Sequence, residues 1–566
     1  MQQRTSEPNT KFVRGGSNRS SPSSMLGRPL NIIALIIALL VTLPLFALVA
    51  IAASGTTDSL SKLVHTVLPT ATQTTLLLLL GVGVLTAVIG TMCAWLVSFF
   101  DFPGRKVFSW ALMLPLAVPT YIAAYSFVEY FSFTGPLQEV IRAVGGYKSI
   151  KEYWFPEIRS LPGTIFTLSM VLYPYVYISV RALFHFQSAR LIESARVLGM
   201  RQFPIFLRVL LPLARPAIVL GVTLAMMETI NDIGAIEYLG IQTLTFSIFS
   251  VWLNQNDIAG AAQLALILLL IVFLLVSLER WARRGRSFVE HRMASSKTSY
   301  KKMELKGQSG WVAAFACVLP ITIGFGIPMT VLGDYTIAYY PYGFDDNLLE
   351  ALLTSLALAS AAAIITVFLA LLLTYAVRES KSGLIAVIVR IASVGYAVPG
   401  TIIALGIFLP IAMFDNFVDG IFRQAFGIST GLLITGSGAT IIYAYTVRFM
   451  AMAEGSLDGG FKKIPQQLDS AARSLGRTTT GTLFEVLLPL LRPAVATAAL
   501  LVFVDSIKEL SATIMLRPFG INTLATYVYE YASRARIEEA GFASLIIVAT
   551  GVIPVILITK TALDGD

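Results

Sequence analysis

Charge is scarce in this chain: of 566 residues only 13% are Asp, Glu, Lys or Arg, too few to cover the surface of soluble domains of that total size. Cysteine is scarcer. The only two, Cys93 and Cys317, both fall inside apolar runs, which excludes a disulfide framework and a cysteine metal site. The three histidines, His65, His185 and His291, lie far apart and read as surface or helix-end residues, so no metal is expected to bind tightly. The sequence also lacks Gly-x-x-x-x-Gly-Lys-Ser/Thr, the loop that cradles nucleotide phosphates, and no catalytic constellation emerges. An enzyme is therefore not expected, nor a cofactor held by this chain.

What is present is hydrophobic. Apolar residues make up 56% of the chain and the mean hydropathy is +0.74, which places it among polytopic membrane proteins. Runs of roughly 20 apolar residues, enough to cross ~30 Å of hydrocarbon, recur at 29–53, 73–100, 107–131, 162–186, 213–239, 260–280, 311–333, 350–377, 384–414, 429–453, 490–515 and 541–561. The expected fold is thus all-α with about twelve membrane helices. The run 384–414 contains Pro399 and Pro410 and is expected to bend or break. The first run ends in Ala50-Ile51-Ala52-Ala53, like a signal-peptidase site, but its length indicates a retained anchor.

The net charge of +9 gathers in particular segments, which points to the positive-inside rule and a lipid bilayer rather than to nucleic acid. Residues 1–28, rich in Ser, Arg, Gly and Asn, read as a disordered cytoplasmic tail. The turn Asp101-Phe102-Pro103-Gly104-Arg105-Lys106 reads as cytoplasmic, as does the linker 281–310, with Arg283, Arg284, Arg286, Arg292, Lys297, Lys301 and Lys302 beside anionic headgroups. Segments 239–259 and 334–349 contain no Lys or Arg and are expected outside, and 132–161 forms the longest outer loop of the first half. Both termini are expected in the cytoplasm.

One stretch occurs twice. Glu193-Ser194-Ala195-Arg196-Val197-Leu198-Gly199, continuing to Leu211-Pro212-Leu213-Ala214-Arg215-Pro216, returns as Ser470-Ala471-Ala472-Arg473-Ser474-Leu475-Gly476 and Leu488-Pro489-Leu490-Leu491-Arg492-Pro493, ungapped at an offset of 277. At 280, Leu116-Ala117-Val118-Pro119 is echoed by Tyr396-Ala397-Val398-Pro399, and Ile241-Gln242-Thr243-Leu244 by Ile521-Asn522-Thr523-Leu524. The chain therefore reads as two six-helix repeats, 29–280 and 311–566, parallel and related by a pseudo-two-fold axis along the membrane normal. Gly199 and Gly476 free the backbone to bend, and the prolines suit a turn or first helical turn rather than a helix interior. A bent helix pair at the cytoplasmic surface should result, exposing Glu193, Arg196, Arg201 and Arg208 in one copy and Asp469, Arg473 and Arg477 in the other. Two copies in register point to a partner that docks twice.

The Glu-Ala-Ala, three residues, Gly, downstream Pro pattern resembles the signature loop of the membrane subunits of bacterial ABC importers, in the fused, double-length form. The resemblance implies a type I importer fold in the inner membrane, two copies of a separate ATPase subunit carrying ATP and magnesium, and a periplasmic substrate-binding protein. It implies that Glu193, Ala195 and Gly199, and Ala472 and Gly476, belong to coupling helices seated on the ATPases. The second copy departs from the pattern, with Ser470 in place of Glu193 and its acid one residue back at Asp469.

Charged groups inside spans are costly and mark functional sites. The span after each loop carries them in aligned pairs: Glu228 with Asp505, Asn231 with Lys508, and Asp232 with Glu509. Helical spacing puts Glu228 and Asp232 on one face, and Asp505 and Glu509 likewise, so four carboxylates are expected to line a central route and attract a hard cation. Equally, Lys508 neutralising an acid and Asn231 capping a helix would be structural. The stretch Lys508-Glu509-Leu510-Ser511-Ala512-Thr513 with Leu516-Arg517-Pro518-Phe519-Gly520 resembles iron(III) importer permeases. Relatives with similar loops carry thiamine, phosphonates, polyamines, sulfate or molybdate. An ATPase-independent transporter and a transporter-like sensor are the rivals from other classes.

Overall fold

The structure, a computed structural model, describes residues 29–55, 57–187, 194–283, 302–339, 345–380, 383–392, 395 and 398–563. The terminal tail, Glu193, Tyr396, Ala397 and most of the linker lie outside the described residues. The first half contributes α1 (Pro29–Ala53), α2 (Leu68–Phe99), α3 (Thr120–Phe131), α4 (Leu161–Gln187), α5 (Leu211–Asn231) and α6 (Ile258–Arg283). The second contributes α7 (Gln308–Ile321), α8 (Asp346–Ser380), α9 (Gly400–Phe426), α10 (Ala439–Lys462), α11 (Leu488–Ile507) and α12 (Gly541–Leu563).

Among the described residues, ten helices are long and apolar enough to cross a membrane, and eleven if Arg105–Ala117 and Thr120–Gly145, bent by 96°, form one span. One further helix accords with the expected count of about twelve. The tenth expected run is realised as α10, 24 residues long, but Arg448, Glu454, Asp458 and Lys462 make it too polar to qualify. The bends have a physical cause. Pro119 and Pro399, at φ −56° and −54°, occupy the position before α3 and α9, so the echoed Ala-Val-Pro marks where the third span of each half breaks.

The prolines of the repeated motif behave differently from expectation. Pro212 and Pro489 lie in the first turns of α5 and α11, but Pro216 and Pro493 sit inside those helices. Each helix is entered through a π-turn, Phe206–Leu210 or Thr482–Leu487. The wider π hydrogen-bond register takes up strain at the missing proline N–H, so loop and span form one continuous rod.

Helices α2, α4 and α5 pack together in the first half and α8, α10 and α11 in the second. The opening span of each half crosses to the other: α1 lies on α8 and α9, while the continuation of α7, Ile327–Ala338, lies on α3. Glycines set the approach. A Cβ at Gly406 would sit 2.1 Å from the Pro44 carbonyl oxygen, and one at Gly324 2.2 Å from that of Met170. The crossing also brings Cys93 of α2 and Cys317 of α7, distant in sequence, into side-chain contact in one buried cluster, both as free thiols.

One segment expected outside folds inward. Residues 239–259 contain Leu244–Leu253, a largely buried helix packed on α2, α6 and α9; Leu524–Ser533 is its twin. The echoed Thr243 and Thr523 are their N-caps, accepting from the backbone N–H groups of Phe246 and Thr526. The likeness continues in space, with the Leu244 N–H donating to Thr75 (3.0 Å) and the Leu524 N–H to Ser355 (2.7 Å). At the opposite end, Phe100–Asp101 pairs in parallel with Met303–Glu304, which fastens the end of the linker to the first half.

Candidate functional site

The cavity between the halves is built from broken helices. Helix α5 ends at Asn231 and α11 at Ile507, so Asp232 and Glu509 lie beyond the helices instead of one turn along the same face. Each carboxylate caps the next short helix. Asp232 Oδ1 accepts from the Ala235 N–H at 2.9 Å, ahead of Gly234–Tyr238. Glu509 accepts from the N–H groups of Ala512 (2.9 Å) and Thr513 (3.1 Å) and from the Thr513 hydroxyl (2.7 Å). A buried carboxylate gains more from these donors, at a helix N-terminus, than from staying on the preceding helix.

All six polar residues expected on the route, Glu228, Asn231, Asp232, Asp505, Lys508 and Glu509, line one cavity of about 100 Å³, together with Thr120 and Tyr121 of α3 and Arg448 of α10. Arg448 was missed. It is buried, its Nη1 donating to Asn231 Oδ1 at 2.7 Å and lying 3.0 Å from Glu509 Oε1. Its signal was a guanidinium inside an apolar run, hidden because the twin position at offset 277 is Val171. Lys508 pairs with Asp505 at 2.7 Å. Asn231 does not cap its own helix; it ties the halves together, accepting from the Gly400 N–H at 2.8 Å and, at its backbone carbonyl, from the Ser511 hydroxyl. Among the described residues no group of three or more His, Cys, Asp or Glu could hold a metal ion.

The second site is the pair of loops. Gly199 and Gly476 have φ +79° and +84° and close the same helix end: the Gly199 N–H bonds to the Arg196 carbonyl and the Met200 N–H to Ala195, matched by Gly476 to Arg473 and Arg477 to Ala472. This is the glycine-terminated helix end that only a left-handed residue permits. Ala195 and Ala472 are buried beneath, while Val197, Leu198 and Leu475 stand 88%, 81% and 84% exposed. Each loop apex thus presents apolar side chains to its surroundings.

The loops are anchored differently. Asp469, expected on the exposed face, is buried; Arg378 of α8 grips both its oxygens, Nε at 2.8 Å and Nη2 at 2.9 Å, and also donates to the carbonyls of Phe461 and Ile464. Arg473 pairs with Glu379, whose hydrogen bond raises the guanidinium pKa further, so it stays charged. In the first loop Arg196 reaches Met303 Sδ on the linker strand and donates to the Gln202 side-chain oxygen. Arg378→Ala leaves Asp469 buried without its cation, a loss of about 3–5 kcal/mol for a broken buried pair. Limited trypsin digestion should then cut faster at Arg473 and Arg477 with the rest of the pattern unchanged.

A broken-helix cavity on the axis between two parallel repeats, with a matched docking loop on each, defines a membrane permease. The chain belongs to the family described as "binding-protein-dependent transport system inner membrane component", which matches it twice, over residues 86–287 and 376–564. It is 26% identical over 539 residues to the Fe(3+)-transport system permease protein FbpB 2 of Haemophilus influenzae, covering 94% of this chain and 98% of that protein. It is also 29% identical over 202 residues to the sulfate transport system permease protein CysW of Escherichia coli, covering 34% and 66%. To the sulfate permease CysT of Escherichia coli it is 25% identical over 268 residues, 45% and 92% of the two chains. The chain is thus a multi-pass transport permease of the inner membrane, not an enzyme.

Proposed function

We propose that this permease imports ferric iron, delivered by a periplasmic binding protein and driven by two copies of a separate ATPase subunit that carry ATP and magnesium. The observation that carries the proposal is the end-to-end likeness to a protein named as an Fe(3+) permease. The oxygen-rich cavity supports it, since hard cations prefer carboxylate and phenol oxygens. Repeats 29–280 and 311–566 are its two halves, joined by the linker 281–310, with both termini in the cytoplasm and outer segments 132–161 and 334–349 receiving the binding protein.

In this scheme Ala195, Arg196, Gly199, Pro212 and Pro216, with Glu193, form the first coupling loop, and Ala472, Arg473, Gly476, Pro489 and Pro493 the second, with Asp469 as its anchor. ATP-driven closure of the ATPases pushes Val197, Leu198 and Leu475. Because each loop continues through a π-turn into α5 or α11, the push reaches Asn231 and Lys508 at the cavity, whose access alternates.

Uptake of radiolabelled ferric iron into cells expressing the chain with its ATPase and binding protein tests the proposal. The expected result is uptake that requires all three proteins. A parallel arm with radiolabelled sulfate addresses the second reading, an oxyanion cargo, which Lys508 and Arg448 on the cavity wall favour. Sulfate uptake without iron uptake would replace the cargo and keep the importer.

A further inference from the structure

The two halves bring unequal chemistry to the cavity. In the second half each acid has its own cation, Asp505 with Lys508 at 2.7 Å and Glu509 with Arg448 at 3.0 Å, and both Glu509 oxygens are further occupied by the backbone and hydroxyl of Thr513 and the N–H of Ala512. The first half holds Asn231 where the second has Lys508, and Val171 where it has Arg448. Asp232, the twin of Glu509, spends Oδ1 on its helix cap. Its Oδ2 is buried without a well-formed hydrogen bond, Thr120 lying alongside.

On the same wall the Tyr121 hydroxyl is also buried without a partner. Tyr121 is 3% and Asp232 6% exposed, and both line the cavity. A buried carboxylate oxygen and a buried phenol left unsatisfied each cost about 1–3 kcal/mol. Two together on one wall, opposite a wall where every acid is occupied, are the mark of a surface kept ready for a ligand.

We infer that cargo is held from one side: Asp232 Oδ2 and the Tyr121 oxygen, with the charge of Glu228 on the last turn of α5, form the transit contact for a hard trivalent cation, while the acids of the second half fix Arg448 and Lys508 to shape the opposite wall. This deepens the ferric-import proposal and rests on it for the identity of the cation. The cavity of about 100 Å³ is well above the ~10–15 Å³ that one water needs on the same measure, room for an ion with part of its hydration shell. Hard cations take about six or more oxygen ligands, so two from the protein hold the ion weakly enough to be released.

The complete importer reconstituted in proteoliposomes provides the test. Asp232→Asn removes the charge but keeps a side-chain oxygen able to cap Gly234–Tyr238, since Asn caps as well as Asp; Tyr121→Phe removes only the hydroxyl. Asp232→Asn is expected to lower ferric uptake about tenfold, the effect of roughly 1.4 kcal/mol at the rate-limiting contact, and Tyr121→Phe by a smaller factor. ATP hydrolysis stimulated by the loaded binding protein should persist in both. Wild-type transport in Asp232→Asn and Tyr121→Phe would overturn the inference.

If the wild type moves no iron, the ferric proposal fails, and the oxygen pair is still decided by terbium(III) luminescence of the full chain in nanodiscs under tyrosine excitation. Emission that falls in Tyr121→Phe and in Asp232→Asn alike supports a hard-cation contact there; emission unchanged in both overturns it.

Discussion

Proline in place of Gly199 or Gly476 is expected to abolish transport while leaving the permease folded in the membrane. Both glycines lie in the left-handed region at φ +79° and +84°, where a proline ring, held near −65°, cannot follow. Each also donates its N–H to close the preceding helix turn, Gly199 to Arg196 and Gly476 to Arg473, and proline has no N–H to give. A Cβ at either position would meet nothing within 4 Å, so the requirement is backbone conformation and not space. Alanine should therefore be much milder, about 1–2 kcal/mol for one left-handed non-glycine residue.

In the proline variants the apex carrying Val197, Leu198 or Leu475 is redirected, while α5 and α11 retain their packing. The measurement is ATP hydrolysis stimulated by loaded binding protein, alongside the amount of permease in the membrane. Normal stimulation in Gly199→Pro would show that the loop does not transmit the ATPase stroke.

The second large effect is at Arg448. Arg448→Met leaves the Glu509 carboxylate buried beside the cavity without its cation, and removes the donor that holds Asn231 across the interface of the halves. Breaking one side of a buried pair costs about 3–5 kcal/mol, whereas replacing both partners is often nearly neutral. Arg448→Met alone should lower the yield of folded protein and its melting temperature in detergent. Adding Glu509→Gln should recover most of the loss, since Gln removes the unpaired charge and retains one oxygen to accept from a backbone N–H of the next helix. A double-mutant cycle reads the coupling between the two. Additive effects would mean that Arg448 and Glu509 stabilise the fold independently.

Much of the architecture was open to inspection in the sequence, because apolar run length and an ungapped repeat follow directly from what a bilayer and a duplicated domain demand. The echoes at offset 280 had a local cause, the N-caps Thr243 and Thr523 and the breaks at Pro119 and Pro399. The errors share one origin. Asp232 and Glu509 were placed on helices by spacing, but spacing cannot tell that a helix stops when the next one offers it a better use of the carboxylate. Asp469 was assigned to an exposed face because its partner Arg378 lies on another span. Arg448 carries no signal in the repeat, because its twin is Val171.

The sequence by itself determined that this is an all-helical, twice-repeated membrane protein with a matched, glycine-bent loop in each half, since these properties depend on residues near one another along the chain. Only the tertiary structure decided that the opening span of each half packs on the other, that Cys93 meets Cys317, and that the linker strand at Met303 braces the first loop while Arg378 braces the second. It alone decided that the acids of one half are neutralised while Asp232 and Tyr121 of the other are left unsatisfied. Ion pairing and burial depend on which side chains meet across the fold, at separations such as the 217 residues between Asn231 and Arg448, and no local pattern encodes that meeting.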